Sequence, residues 1–83
     1  MFHKVKTIKP LSNYSLLVQF ENEEKKQYYI KNLVNEIDVF KTLMYIPGLF
    51  EQVKVDSGGY GISWNDELDL SCNELYYNGV TVG

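Results

Sequence analysis

Between Leu16 and Ile30 the chain alternates twice, with a polar triplet between the two alternations, and this restricts the fold more than any other feature. Leu16, Val18 and Phe20 alternate with Leu17, Gln19 and Glu21, the two-residue period of a strand with one buried face. Asn22-Glu23-Glu24 makes a turn, after which Lys26, Tyr28 and Ile30 alternate with Lys25, Gln27 and Tyr29. Two strands joined this closely read as an antiparallel hairpin. An earlier strand is predicted over Val5 to Lys9, ended by Pro10, which lacks the ladder donor. Val5 and Ile8 are three apart and cannot share a face of a regular strand, so a bulge or irregular edge is expected there.

The period then changes. Leu33, Ile37, Phe40 and Met44 follow 4-3-4 spacing, which places them on one stripe of a helical segment. Asn32 is a candidate cap, and Pro47-Gly48 forbids continuation past Ile46. Asn35 and Asp38 are mediocre interior residues, so the segment divides as readily into two short pieces as it forms one helix. Leu49 and Phe50 are expected on a brief turn packed beneath it.

Strand character resumes at Gln52, with Val53 and Val55 inward and Gln52, Lys54 and Asp56 outward. Ser57-Gly58-Gly59 is turn chemistry. Tyr60, Ile62 and Trp64 are expected on one face of the next strand, and Leu68 and Leu70 flank Asp69 in a short extended piece. Ser71-Cys72-Asn73-Glu74 has capping-box spacing, predicting a helix from Cys72 to about Tyr77. Asn78-Gly79 would close it in left-handed geometry. The order is β-β-β, helical segment, β-β, C-terminal helix, which indicates an α+β fold with a mostly antiparallel sheet.

At 83 residues the chain is expected to be a single domain over 1–83, small enough for self-association to be a natural supplement to its stability. One cysteine excludes an internal disulfide. Met1 to Lys6 hold no signal-peptide run and lysines interrupt every apolar stretch, so the expected setting is cytoplasmic, with no membrane. The net charge is −3 and all eight cationic side chains are lysine. Because arginine is the usual bidentate reader of phosphate and guanine, nucleic acid is an unfavoured partner.

Each candidate site has a plainer explanation beside it. His3 is the only histidine, without an orienting partner in sequence and in a terminus expected to fray. Cys72 opens a helix, where the dipole favours thiolate, yet among apolar neighbours it reads as a small buried hydrophobe. Asp56, Asp66, Glu67 and Asp69 are the densest acidic group but lack calcium-loop spacing, and Asp69 is expected to bond backbone amides. Gly58, Gly59 and Gly61 read as a hairpin turn, since no phosphate-loop motif surrounds them. Lysines 4, 6, 9, 25 and 26 could form a basic patch, although such residues usually solvate an outer face. No metal or cofactor is implied. The aromatic surplus is the most suggestive feature: in the pairs Tyr28/Tyr29 and Tyr76/Tyr77 one member should face solvent, where tyrosine is favoured at contacts. Trp64 is expected to pack over the sheet.

The runs Leu16 to Glu21, Val39-Phe40-Lys41-Thr42-Leu43, Leu49 to Val53, Ile62 to Leu70 and Leu75-Tyr76 together resemble the uncharacterised bacterial family called domain of unknown function 2442. The likeness spans nearly the whole chain and is most specific at W-x-D-x-x-D-L, here Trp64, Asp66, Asp69 and Leu70. Glu67 stands where the family usually has glycine, and lysine stands on the third strand where it often has arginine. The resemblance implies a compact α+β fold with no established activity. Some relatives carry a helix-turn-helix domain, which is not expected here, and others are encoded beside a second small protein as toxin–antitoxin pairs are. The leading expectation is a non-enzymatic protein-interaction module, in the antitoxin-like version the partner of a second small protein. The alternatives are a small enzyme using Asp66, Asp69 and Cys72, and nucleic-acid binding through the lysine strands.

Overall fold

The computed structural model describes residues 1–82. The two alternating runs form β2 (Ser15–Phe20) and β3 (Lys25–Tyr29), paired antiparallel with Leu16 opposite Tyr28 and Val18 opposite Lys26. Leu16, Val18 and Phe20 are fully buried, as the alternation requires, with Tyr28 and Ile30 beside them. β1 (Val5–Pro10) pairs with β2, and its register shifts between Val5 and Thr7. That irregularity lets Val5 enter the core while Ile8 packs against it, the outcome their three-residue spacing demands.

The helical segment is three short turns. α1 (Lys31–Val34) is followed by a 3₁₀ turn (Asp38–Lys41) and α2 (Thr42–Tyr45), and a second 3₁₀ turn spans Phe50–Gln52. The expected stripe holds only in part. Leu33 and Phe40 are buried, but Ile37 and Met44 are exposed and Leu43 takes the inward place. The cause is local: Ile37 is extended (φ −130°, ψ 103°), so the helical phase restarts after it. Asn32 does not cap, because α1 begins after Ile30 and has no side-chain cap.

β4 (Lys54–Val55), β5 (Gly61–Ser63) and β6 (Asp69–Ser71) form a separate three-stranded antiparallel sheet, so the strands make two sheets rather than one. Between β4 and β5 a 3₁₀ turn over Ser57–Gly59 has Gly58 and Gly59 at φ +81° and +80°. At Gly59 a Cβ would lie 2.6 Å from the Val5 carbonyl, where the second sheet meets β1. Tyr60 precedes β5 and is exposed instead of sharing the inward face of Ile62 and Trp64.

α3 (Cys72–Asn78) packs against β3, β5 and β6 and so joins the sheets. Its Ser71 cap accepts the Glu74 amide at 3.1 Å, but the Glu74 carboxylate turns to Tyr28 rather than back to Ser71. Gly79 has φ −80°, not the left-handed geometry expected of it. Glycine is needed there because a Cβ would meet the Leu75 carbonyl at 2.5 Å and Lys26 Cβ at 3.1 Å. The chain then adds β7 (Val80–Thr81), an unforeseen strand that pairs with β3 and gives the first sheet the order β1-β2-β3-β7. Among the described residues no helix is long and apolar enough to cross a membrane.

Candidate interaction surface

A core of apolar residues supports an apolar surface in the 37–46 stretch. Phe40, Leu43, Phe50 and Trp64 are buried together, and the Trp64 indole N–H donates to the Phe50 carbonyl at 3.0 Å. The Trp64 ring lies 6.3 Å from both Phe40 and Phe50. Beside Leu43 and Phe50 lie the exposed Met44, Tyr45 (68%) and Ile46 (45%), and Ile37 and Val39 are exposed earlier in the same stretch. α1 and α2 have four residues each and each buries one side chain, Leu33 and Leu43.

Tyr14 closes one end of that surface. Its backbone is left-handed (φ 55°), an uncommon conformation for a bulky residue. Its hydroxyl donates to the Met44 carbonyl at 3.1 Å and its ring meets Phe50 edge-on at 5.4 Å. A shallow depression of about 280 Å³ lies between Tyr14, Met44, Tyr45, Pro47 and Phe50.

The tyrosine pairs divide differently. Tyr28 is buried, and its hydroxyl donates to Glu74 Oε2 at 2.8 Å. Burial first, then the Glu74 bond and the charges of Glu74 and Glu36, push its phenol well above the ordinary tyrosine range. Tyr29 is half-buried. Tyr76 is packed from several sides, with the His3 ring stacked at 3.6 Å, Phe20 edge-on at 5.1 Å and the Lys26 ammonium 3.8 Å from its centroid. Its hydroxyl donates to Glu24, and that bond raises its phenol. Tyr77 is exposed at 65%.

His3, expected to fray, is docked on α3. Its amide donates to Asn73 Oδ1 at 3.0 Å, Asn73 Nδ2 donates to the Met1 carbonyl at 2.9 Å, and His3 Nε2 and the Tyr77 hydroxyl are hydrogen-bonded at 3.1 Å. Lys26 sits at an inward strand position because its ammonium donates to the Tyr76 carbonyl in the last turn of α3, where cations are favoured. Lys6 pairs with Glu23, and Lys4 lies over the Tyr60 ring, so the N-terminal lysines are partly taken up by contacts within the fold.

Cys72 is fully buried, and its thiol reaches only Asn73 Oδ1, at 3.8 Å. Asp66, Glu67 and Asp69 are exposed, while Asp56 accepts the Ser63 hydroxyl at 2.6 Å. The backbone amides of the β5–β6 loop are held by Asn65, not Asp69: Asn65 Oδ1 accepts from Glu67 N and Leu68 N at 2.9 and 3.0 Å. An asparagine opening the polar run Asn65-Asp66-Glu67 between Trp64 and Leu68 was the available signal.

The family model described as protein of unknown function (DUF2442) matches residues 5–81. No curated protein and no solved structure matches the chain.

Proposed function

The chain belongs to the DUF2442 family of proteins of unknown function, and from that premise we propose that it is a non-enzymatic, cytoplasmic protein-interaction module whose contact face is the 37–46 surface. One observation carries this reading: Met44, Tyr45 and Ile46 are exposed where they line one depression with the buried Leu43 and Phe50, and Ile37 and Val39 are exposed in the same ten-residue stretch. Apolar groups gathered on a surface gain free energy when a partner covers them, and tyrosine and methionine are over-represented where partners do so. The net charge of −3 disfavours a second copy at low salt and favours a basic partner. An antitoxin-like role beside a second small protein is one form of this reading.

Affinity capture from native cells tests it. The wild-type chain should retain one basic protein in stoichiometric amount, and M44D/Y45D, altered only at exposed positions, should lose it while keeping its fold. A wild-type chain that emerges alone, or a dimer that this variant dissolves, would contradict it.

A further inference from the structure

The turn from α3 into β7 requires a glycine, because a Cβ at Gly79 would meet both the Leu75 carbonyl and Lys26 Cβ. The residue before it is Asn78, the one asparagine of the chain followed by glycine. That pairing is a chemical liability. Asparagine is thermolabile, and a glycine amide nitrogen, unshielded by any side chain, is the backbone nucleophile that most easily reaches a preceding carboxamide. Asn78 is exposed at the end of α3, so water reaches it. We propose that Asn78–Gly79 is a site of spontaneous deamidation, closed while β7 is paired, and that its isoaspartate product detaches β7 from β3.

The Gly79 nitrogen attacks Asn78 Cγ and gives its proton to solvent, and the side-chain nitrogen leaves as ammonia, closing a cyclic succinimide. Water then opens either ring carbonyl. One opening restores the backbone with an aspartate; the other routes the chain through the former side chain, adding a methylene to the backbone and leaving a carboxylate on Cα. The net reaction consumes water and releases ammonia. The folded chain holds it back. The Gly79 N–H donates to the Leu75 carbonyl at 3.0 Å, and the helical backbone of Asn78 turns that nitrogen away from Cγ. Both restraints lapse when the last turn of α3 opens with β7, a two-residue edge strand with both side chains exposed, which belongs to the least stable part of the fold. Isoaspartate cannot restore the arrangement. β7 is placed by the Gly79–Leu75 bond, by Val80 opposite Gln27 and Thr81 opposite Lys26, and by the Val82 N–H on the Lys25 carbonyl at 3.0 Å. An extra backbone atom before Gly79 displaces every later residue, so the helix-end bond and the strand register cannot both be kept.

The test ages the full chain at mildly alkaline pH, both folded and in urea. N78Q serves as a chain whose longer side chain cyclises far more slowly, and N78D as one that gains the charge without the extra backbone atom. Peptide mapping that separates aspartate from isoaspartate should place the product at position 78, with isoaspartate in excess. Folding should slow its formation about tenfold or more, since only the opened population reacts. In the deamidated wild type the Val82 amide should exchange as an unpaired amide does, while aged N78Q and fresh N78D keep its protection. No product at position 78 in the folded chain over many half-lives of the unfolded reaction, or equal rates in the two states, would overturn the assignment. So would unchanged exchange at Val82 after deamidation, or an equal loss of protection in N78D, which would make charge rather than chain length the cause.

Discussion

The Tyr28 hydroxyl and the Glu74 carboxylate, 46 positions apart, meet at 2.8 Å and tie the third strand to the C-terminal helix. The bond answers two needs at once. A buried phenol must have an acceptor, and the helix that supplies it thereby joins the sheet that carries Tyr28. Y28F should lower stability by about 1.5 kcal/mol, the low end for a bond to a charged group whose partner can rehydrate, read from the denaturant midpoint.

The same bond sets an alkaline limit. Tyr28 ionises in the unfolded chain near its ordinary value of 10.0, but burial and the Glu74 bond hold the proton on in the folded chain. Below that pH both states keep the proton and nothing is lost. Above it only the unfolded state releases one, so stability should fall as pH rises. Y28F should flatten that decline; an identical slope in the variant would remove Tyr28 as its source.

Trp64 should be the most sensitive residue beneath the apolar surface. W64F removes the donor to the buried Phe50 carbonyl and part of the packing against Phe40 and Phe50. A loss of about 2–4 kcal/mol is expected from the orphaned acceptor and the lost volume. Urea unfolding measures it, and a change below about 1 kcal/mol would contradict the packing described.

Two glycines with nearly the same φ separate strain from crowding. Gly48 (φ +81°) has nothing within 4 Å of an added Cβ, whereas at Gly59 (φ +80°) that atom would lie 2.6 Å from the Val5 carbonyl. G48A should cost about 1 kcal/mol for its backbone alone. G59A should cost clearly more, because the junction of the two sheets must open. Equal losses in thermal unfolding would show that the junction yields freely.

Asn73 holds the N-terminal residues from both sides through Met1 and His3. N73A should speed amide exchange at His3 while changing global stability by only about 0.5–1.5 kcal/mol. Unchanged exchange at His3 would mean that stacking on Tyr76 suffices to hold the segment.

Where periodicity meets a regular element, the fold is legible in the residues. Leu16, Val18 and Phe20 are buried as their alternation requires, and Ser71 caps α3 as its spacing to Glu74 implies. The stripe through Ile37 and Met44 fails because it presumes an unbroken helix, and one extended residue at Ile37 resets the phase. Alternation assigns faces but not partners, so it could not divide the strands into two sheets or foresee that Val80–Thr81 would pair with β3. The candidate surface was hidden for the same reason. Tyrosine pairing expects one member of each pair at the surface, and Tyr77 is exposed while Tyr29 is half-buried; Met44, Tyr45 and Ile46 become surface residues only once the helix is broken.

The contact face itself is tested most directly by placing a photo-cross-linking phenylalanine at Tyr45 and, as a control, at Lys9 on β1, another exposed position. Irradiation in native cells should give one adduct from position 45, with a basic protein other than this chain, and none from position 9. No adduct at 45, an adduct with a second copy, or equal labelling from both positions would contradict the account.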